Sequence, residues 1–205
     1  MVHAGQLEAR YDRAAGRWRD KMRALGYYDG YLGFLSAPGA KAQPAARVID
    51  AGAGTAAFSE AWVAVNGAPA SLTLIEPSGS MLARGVAALR ERGVEPEALA
   101  CGLDEAGAEP ADEVLVAHLI EHFDDPEAAL SRLRGLTRPG GILRLVVSKP
   151  HWCNAIIWLQ WRHRTFTDAE VHGMLTRTGF AVERDYAFPS GPPSRTSHGV
   201  VARAV

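Results

Sequence analysis

Ten consecutive residues constrain this chain most: Val48-Ile49-Asp50-Ala51-Gly52-Ala53-Gly54-Thr55-Ala56-Ala57. They open as an apolar run that reads as a buried strand. They then break into small residues and continue into Ala57-Phe58-Ser59-Glu60-Ala61-Trp62, which has helical composition. A strand, a glycine turn and a helix in that order form a corner suited to a nucleotide. Glycine permits positive φ in the tight turn and lets the backbone approach a ligand closely. The helix N-terminus adds N–H groups and the positive end of a dipole.

Two fingerprints overlap on these residues. Gly52-x-Gly54-x-x-Ala57 satisfies the loose dinucleotide pattern, whose third position accepts Gly or Ala. Asp50-x-Gly52-x-Gly54-x-Ala56 resembles the first motif of class I S-adenosylmethionine (SAM) methyltransferases, D/E-x-G-x-G-x-G, with alanine in place of the last glycine. A glycine motif alone does not choose between them, so the rest of the chain must.

A length of 205 residues with 47% hydrophobic side chains supports one good core and one domain with an appended cap. A net charge of -1 gives no general attraction to nucleic acid or anionic membranes, and no basic arm is present. Cys101 and Cys153 form neither a disulfide framework nor a zinc pattern. Met1 to Arg10 is polar rather than signal-like, and no apolar run is long enough to span a bilayer. A cytoplasmic protein with a small-molecule substrate and no nucleic-acid partner is the expectation; the oligomeric state is left open.

Residues 1–45 read as a helical cap and linker, and 46–205 as the core. Leu7, Tyr11, Ala14, Ala15, Trp18, Met22 and Leu25 recur at helical spacing, with Gly26 as a stop. Tyr27 to Leu35 is aromatic and glycine-broken. Its aromatics read as packing the cap onto the core, or as lining a substrate pocket through Tyr11, Trp18, Tyr27, Tyr28 and Tyr31. Ser36 to Ala46 reads as a linker.

Ser71 to Glu76 is a second strand ending in an acid, which can accept hydrogen bonds from both ribose hydroxyls. Ser78 caps a helix from Gly79 to Arg92. Glu97 to Gly102 is a third strand that buries Cys101, and Asp104 just beyond it can bond an adenine amino group. Asp112 to His118 is a fourth strand. Asp124-Asp125-Pro126-Glu127 starts a helix that runs to Leu136. Arg138-Pro139-Gly140-Gly141 turns into a fifth strand, Ile142 to Ser148. Thr167 and Glu170 make a capping box for a helix ending at Thr178-Gly179. Phe180 to Phe188 and His198 to Val205 are two last strands. The Gly/Pro/Ser loop Pro189 to Ser197 leaves no room for a helix, so these strands should be antiparallel neighbours.

Five strand–helix alternations and an antiparallel pair resemble the seven-stranded class I SAM methyltransferase fold. This is a Rossmann-like α/β fold with a mostly parallel sheet, an antiparallel last strand, helices on both faces and here an N-terminal helical cap. Leu74-Ile75-Glu76-Pro77-Ser78-x-x-Met81-Leu82 resembles the family's second motif. Val114 to His122, followed by Phe123-x-Asp125-Pro126, is similar to the fourth-strand motif V-x-x-x-H-V-L-E-H of small-molecule methyltransferases. Leu136-x-x-Pro139-Gly140-Gly141-x-Leu143 is similar to L-K-P-G-G-x-L. The resemblance implies SAM as cofactor and methyl transfer that releases S-adenosylhomocysteine. The residues it puts at the cofactor are Asp50, Gly52, Ala53, Gly54, Glu76, Pro77, Met81, Asp104 and His118, with Asp50 more an organiser of the loop than a ligand. It also implies slight crowding of the methionine end by Ala56. The fourth strand lacks the N/D-P-P-Y pattern of nucleic-acid adenine-N6 enzymes.

Methyl transfer from a sulfonium is an in-line displacement, so alignment and exclusion of water dominate. An O–H, N–H or thiol acceptor can also need a proton removed. His118, Glu121 and His122 fall just after strand four, and three readings compete there. His118 and His122 can be acid/base groups. His118-x-x-Glu121-His122 resembles the E-x-x-E-H metal site of ubiquinone-pathway O-methyltransferases, with His118 for the first Glu. Alternatively, His118 touches the cofactor while Glu121 and His122 orient the loop. The catalytic candidates are His118, His122 and His151, and no metal is assigned. Trp152, Trp158 and Trp161 lie in ten residues beside Arg162-His163-Arg164. Trp152 and His163 are taken as substrate-lining; the competing uses of 152–164 are core packing and a helix lying on a membrane. The alternative functions are a phospholipid N-methyltransferase, an NAD-dependent oxidoreductase, and a SAM-binding protein without turnover.

Overall fold

The computed structural model describes residues 19–38, 46–151 and 164–205. Seven strands, β1 (Arg47–Ala51), β2 (Ser71–Ile75), β3 (Glu97–Leu99), β4 (Ala111–Ala117), β5 (Thr137–Ser148), β6 (Phe180–Tyr186) and β7 (Ser197–Ala204), form one sheet in the order β3-β2-β1-β4-β5-β7-β6. β1 pairs in parallel with β2 and β4, β2 with β3, and β4 with β5. β7 slots between β5 and β6 and runs antiparallel to both. The expected mostly parallel sheet with an antiparallel last strand is present.

Side chains alternate between the two faces of a strand, so each strand feeds two cores. On one face Ile49, Val114, Val116, Leu143 and Leu145 meet Leu130 and Leu133 of α5 (Pro126–Leu136) and Val171 and Leu175 of α6 (Asp168–Arg177). On the other, Val48, Leu72, Leu74, Leu115 and Val146 meet α2 (Tyr27–Ser36), α3 (Ala57–Asn66) and α4 (Gly79–Arg90) through Phe34, Phe58, Trp62, Leu82 and Leu89. Each of these fully buried side chains contributes roughly 1.5–3 kcal/mol.

The helix starts follow the sequence signals. Ser78 Oγ accepts from Met81 N at 3.3 Å, Asp125 Oδ1 accepts from Glu127 N and Ala128 N, and Thr167 with Glu170 forms the capping box. A cap of this kind is worth about 1 kcal/mol.

Three local expectations are corrected. Tyr27 to Leu35 is one unbroken helix, because Gly30 and Gly33 are its docking face rather than breaks. A Cβ at Gly30 would lie 3.0 Å from the Phe188 ring, and one at Gly33 would lie 2.5 Å from Tyr186 Oη. Between β6 and β7 there is a short helix, α7 (Gly191–Thr196); Pro192 in its first turn has no N–H to leave unpaired. Strand three stops at Leu99, so Cys101 lies past it, half-buried in a bend.

The N-terminal helices are tied to the core by charge as well. Residues 19–24 are helical, labelled α1, and turn at Gly26. Arg19, Arg23 and Arg92 all reach Glu60 of α3, whose side chain is 1% exposed. Burying a carboxylate is tolerable only with such partners. No helix among the described residues is long and apolar enough to cross a membrane.

Candidate active site

β1 ends at Ala51 and the chain turns at once through Gly52 (φ 71°) and Gly54 (φ 52°) into α3. Both angles lie in the left-handed region that glycine enters without strain. Gly52 N and Ala53 N donate to Ile75 O at 2.9 and 3.1 Å, which pins the turn to the end of β2. A Cβ on Gly52 would lie 2.9 Å from Leu119 Cδ1. Gly54 has more room: its nearest neighbour would be the sulfur of buried Met81 at 3.8 Å.

Glu76 follows β2 and is 6% exposed. Its Oε2 accepts from Gly54 N and its Oε1 from Ser78 N, both at 2.9 Å. A buried carboxylate beside a positive-φ glycine turn and a helix start is a donor and acceptor set that fits a nucleoside. Pro77 is exposed next to it. Asp50 is 1% exposed and accepts from Ser59 N at 3.2 Å and Ser59 Oγ at 2.6 Å. Burial pushes its carboxyl up to about 7; the Ser59 bonds oppose the rise and the Glu76 charge adds to it. Asp50 thus staples the loop to α3. Asp104 is exposed and paired with Arg132, whose Nε donates at 3.3 Å.

Beyond β4, His118 has φ 55°, unusual for a non-glycine residue. Its N–H donates to Val146 O at 2.9 Å. Nδ1 lies 3.1 Å from both Glu121 Oε1 and Ser148 Oγ, and Nε2 lies 3.4 Å from Ser197 Oγ. Glu121 Oε1 also accepts from Ser148 N at 2.7 Å. Burial acts to raise the Glu121 pKa, but the His118 hydrogen bond and charge outweigh it, and the carboxyl sits below its usual range. Glu121 is therefore ionised at neutral pH and can only accept. Burial holds His122 low, against the Glu121 charge. His151 is half-buried just past β5.

The structure brings Tyr27 and Tyr31 to this cluster. Tyr27 meets His118 edge-on, with ring centroids 5.7 Å apart, and its hydroxyl is 2.9 Å from Thr196 Oγ1. Tyr31 packs on Phe58 at 4.8 Å, and its hydroxyl pKa is raised by burial first, then by Tyr27, Asp50 and Glu121. Tyr28 points elsewhere: its ring lies under Arg23 and its hydroxyl accepts from Arg92. Tyr11, Trp18, Trp152, Trp158, Trp161 and His163 lie outside the described residues. Among the described residues, no three His, Cys, Asp or Glu side chains gather as metal ligands. Sequence reasoning missed Ser148 and Ser197. They are register partners at the end of the β5–β7 ladder, and a hydroxyl that closes apolar β5 and one that opens apolar β7 are the signal that marks them.

Residues 49–143 match the family model described as a methyltransferase domain. A comparison with curated proteins finds no match. Among solved structures, Burkholderia thailandensis 1,6-didemethyltoxoflavin-N1-methyltransferase superposes with TM-score 0.76 at 18% identity, over 99% of this chain and 89% of that one. Magnesium protoporphyrin IX methyltransferase from Synechocystis PCC 6803 gives 0.70 at 17%, over 89% and 83%. The [4+2]-cyclase SpnF gives 0.69 at 14%, over 88% and 80%. The first two were crystallised with S-adenosylhomocysteine. The match at 49–143 is to a methyltransferase domain, and the fold of the chain is the one these solved methyltransferase structures share.

Proposed function

We propose that this chain transfers a methyl group from SAM to a small organic molecule held between the N-terminal helices and the carboxyl ends of the strands. One observation carries the choice of SAM over NAD: β7 lies antiparallel between β5 and β6. The dinucleotide fold instead runs 3-2-1-4-5-6. Glu76, Gly52, Ala53 and Gly54 would hold the nucleoside, with Met81 behind the loop; Asp50 shapes the loop through Ser59. The cofactor supplies an electrophilic methyl on a sulfonium. The protein's part is alignment and exclusion of water. Tyr27, Tyr31 and His118 form the wall that faces an acceptor. Structural neighbours that act on 1,6-didemethyltoxoflavin and on magnesium protoporphyrin IX support a small-molecule acceptor.

The test is a thermal-shift panel with SAM, S-adenosylhomocysteine, NAD and NADP, followed by a methyl-release screen over phenols, amines, thiols and lipids. Stabilisation by the first pair is expected. Stabilisation by NAD alone would overturn the reading. SAM binding with no S-adenosylhomocysteine formed from any acceptor would favour SAM binding without methyl transfer, an outcome to which the cyclase neighbour lends weight.

A further inference from the structure

We propose that Glu121 is a positioning residue that presents the Nε2 lone pair of His118 to a protic acceptor, one whose reacting oxygen, nitrogen or sulfur carries a hydrogen when it binds. This rests on the methyl-transfer reading above and deepens it by naming the acceptor class.

The two ring nitrogens of His118 meet different neighbours. Glu121 is buried and accepts Ser148 N through the same oxygen that faces His118 Nδ1. An ionised carboxylate offers no proton, so Nδ1 must carry the hydrogen and Nε2 the lone pair. Among the described residues, the polar neighbour of Nε2 is Ser197 Oγ at 3.4 Å, at the outer limit of a hydrogen bond. The His118 side chain is 24% exposed, so its ring is within reach of a ligand. Two further features set this cluster apart from ordinary packing. His118 is held in the left-handed region, a strained state that persists where the surroundings over-determine it. The second carboxylate oxygen of Glu121, Oε2, is buried without a hydrogen-bond partner among the described residues. A carboxylate kept at that cost calls for a reason beyond stability.

Among the described residues, the titratable groups about the ring are Glu121 and His122 from the 3-10 turn after β4 and Tyr27 from α2. β5 and β7 present only the hydroxyls of Ser148 and Ser197. Among the described residues, Glu121 is thus the anion placed to stabilise an imidazolium. As the bond from the acceptor atom X to the methyl carbon forms, the X–H electron pair stays on X and the proton passes to His118 Nε2. The electron pair of the breaking C–S bond leaves with sulfur, and the proton is later lost to water. A tertiary amine has no proton to give up and would not need this arrangement.

The experiment is long-range 15N–1H NMR of the histidine rings in the wild-type protein with S-adenosylhomocysteine, the His118 signals being assigned by their loss in His118→Gln. The expected result is the Nδ1–H tautomer. In Glu121→Gln the side-chain amide can donate to Nδ1, so a share of the Nε2–H tautomer should appear. The Nε2–H tautomer in wild type, or a tautomer unchanged in Glu121→Gln, overturns the proposal. If Glu121→Gln does not fold, the wild-type tautomer decides alone. Methyl transfer found only onto tertiary amines overturns the acceptor class. Failure to bind S-adenosylhomocysteine would instead remove the methyl-transfer reading beneath it.

Discussion

Ala56 and Gly85 fit one another: a Cβ added to Gly85 would lie 3.0 Å from the Ala56 Cβ and 3.3 Å from Ala56 N. Ala56 stands where the methyltransferase motif has its last glycine, and it holds φ 60°. Ala56 is 0% exposed, and the methyl fills the hollow that Gly85 leaves on α4.

Gly85→Ala should therefore destabilise the protein. Overpacking against loop backbone costs about 1–3 kcal/mol, and the gain in helix propensity returns only about 1 kcal/mol. Ala56→Gly removes the opposing methyl and relieves a left-handed alanine, so the double variant should recover part of the loss. Urea unfolding of the four proteins measures the coupling. Additivity within about 0.5 kcal/mol would show that the two residues are independent.

Replacing Glu76 with Ala should weaken SAM binding by about 1–3 kcal/mol, the scale of losing charge-assisted hydrogen bonds. The same change frees Gly54 N and Ser78 N, so the thermal midpoint should fall as well. Calorimetric titration with SAM separates the two effects. An unchanged affinity would take Glu76 out of the cofactor site.

What the sequence disclosed followed from local chemistry. The strand–turn–helix at Val48–Ala57, the caps at Ser78, Asp125 and Thr167, and the antiparallel final pair depend on residues close in the chain. What it concealed depends on distant partners. Gly30 and Gly33 look like helix breakers until Phe188 and Tyr186 are known to lie against them. Tyr28 cannot be told from Tyr27 by composition. One helical step turns it away from His118 and toward Arg23 and Arg92. Ser148 and Ser197 gain meaning only when the β5–β7 register sets them side by side.

Asp50 gives a pH signature. Its carboxyl, raised by burial from 3.8 to about 7, binds a proton more tightly in the folded state than in the unfolded one. Its contribution is thus fully present below about pH 4 and is lost as pH rises through about 7. Asp50→Asn cannot ionise, so its stability relative to wild type should improve between pH 5 and pH 8. The gain should be on the order of 1–4 kcal/mol, at about 1.4 kcal/mol per pH unit. Comparing the pair cancels the carboxylates held low, such as Glu121 and Glu170, whose stabilisation is lost toward acid. Denaturation curves at both pH values give the answer, and a pH-independent difference would show that Asp50 is already ionised near its ordinary value.

The seat of α2 on β6 keeps Tyr27 against His118. Tyr186 lies beside Phe34 with centroids 5.2 Å apart and meets Phe188 edge-on at 5.3 Å, so its ring is not free to swing. Its hydroxyl fills the notch at Gly33, where a Cβ would sit 2.5 Å away. Gly33→Ala must therefore displace the ring or lift the helix, at a net cost of about 1–2 kcal/mol after the helix-propensity gain. Tyr186→Phe deletes the clashing oxygen and should restore most of that loss in the double variant. The Tyr27 hydroxyl bond to Thr196 ties the same helix to α7, so lifting α2 should also loosen that contact. Hydrogen exchange then reports the cause as well as the cost. Amides of Tyr27–Ser36 should lose protection in Gly33→Ala, while those of β1 and β4 keep theirs. Protection lost evenly across the sheet would mean that the substitution acts on the whole core, and full protection in α2 would mean that Tyr186 simply moves aside.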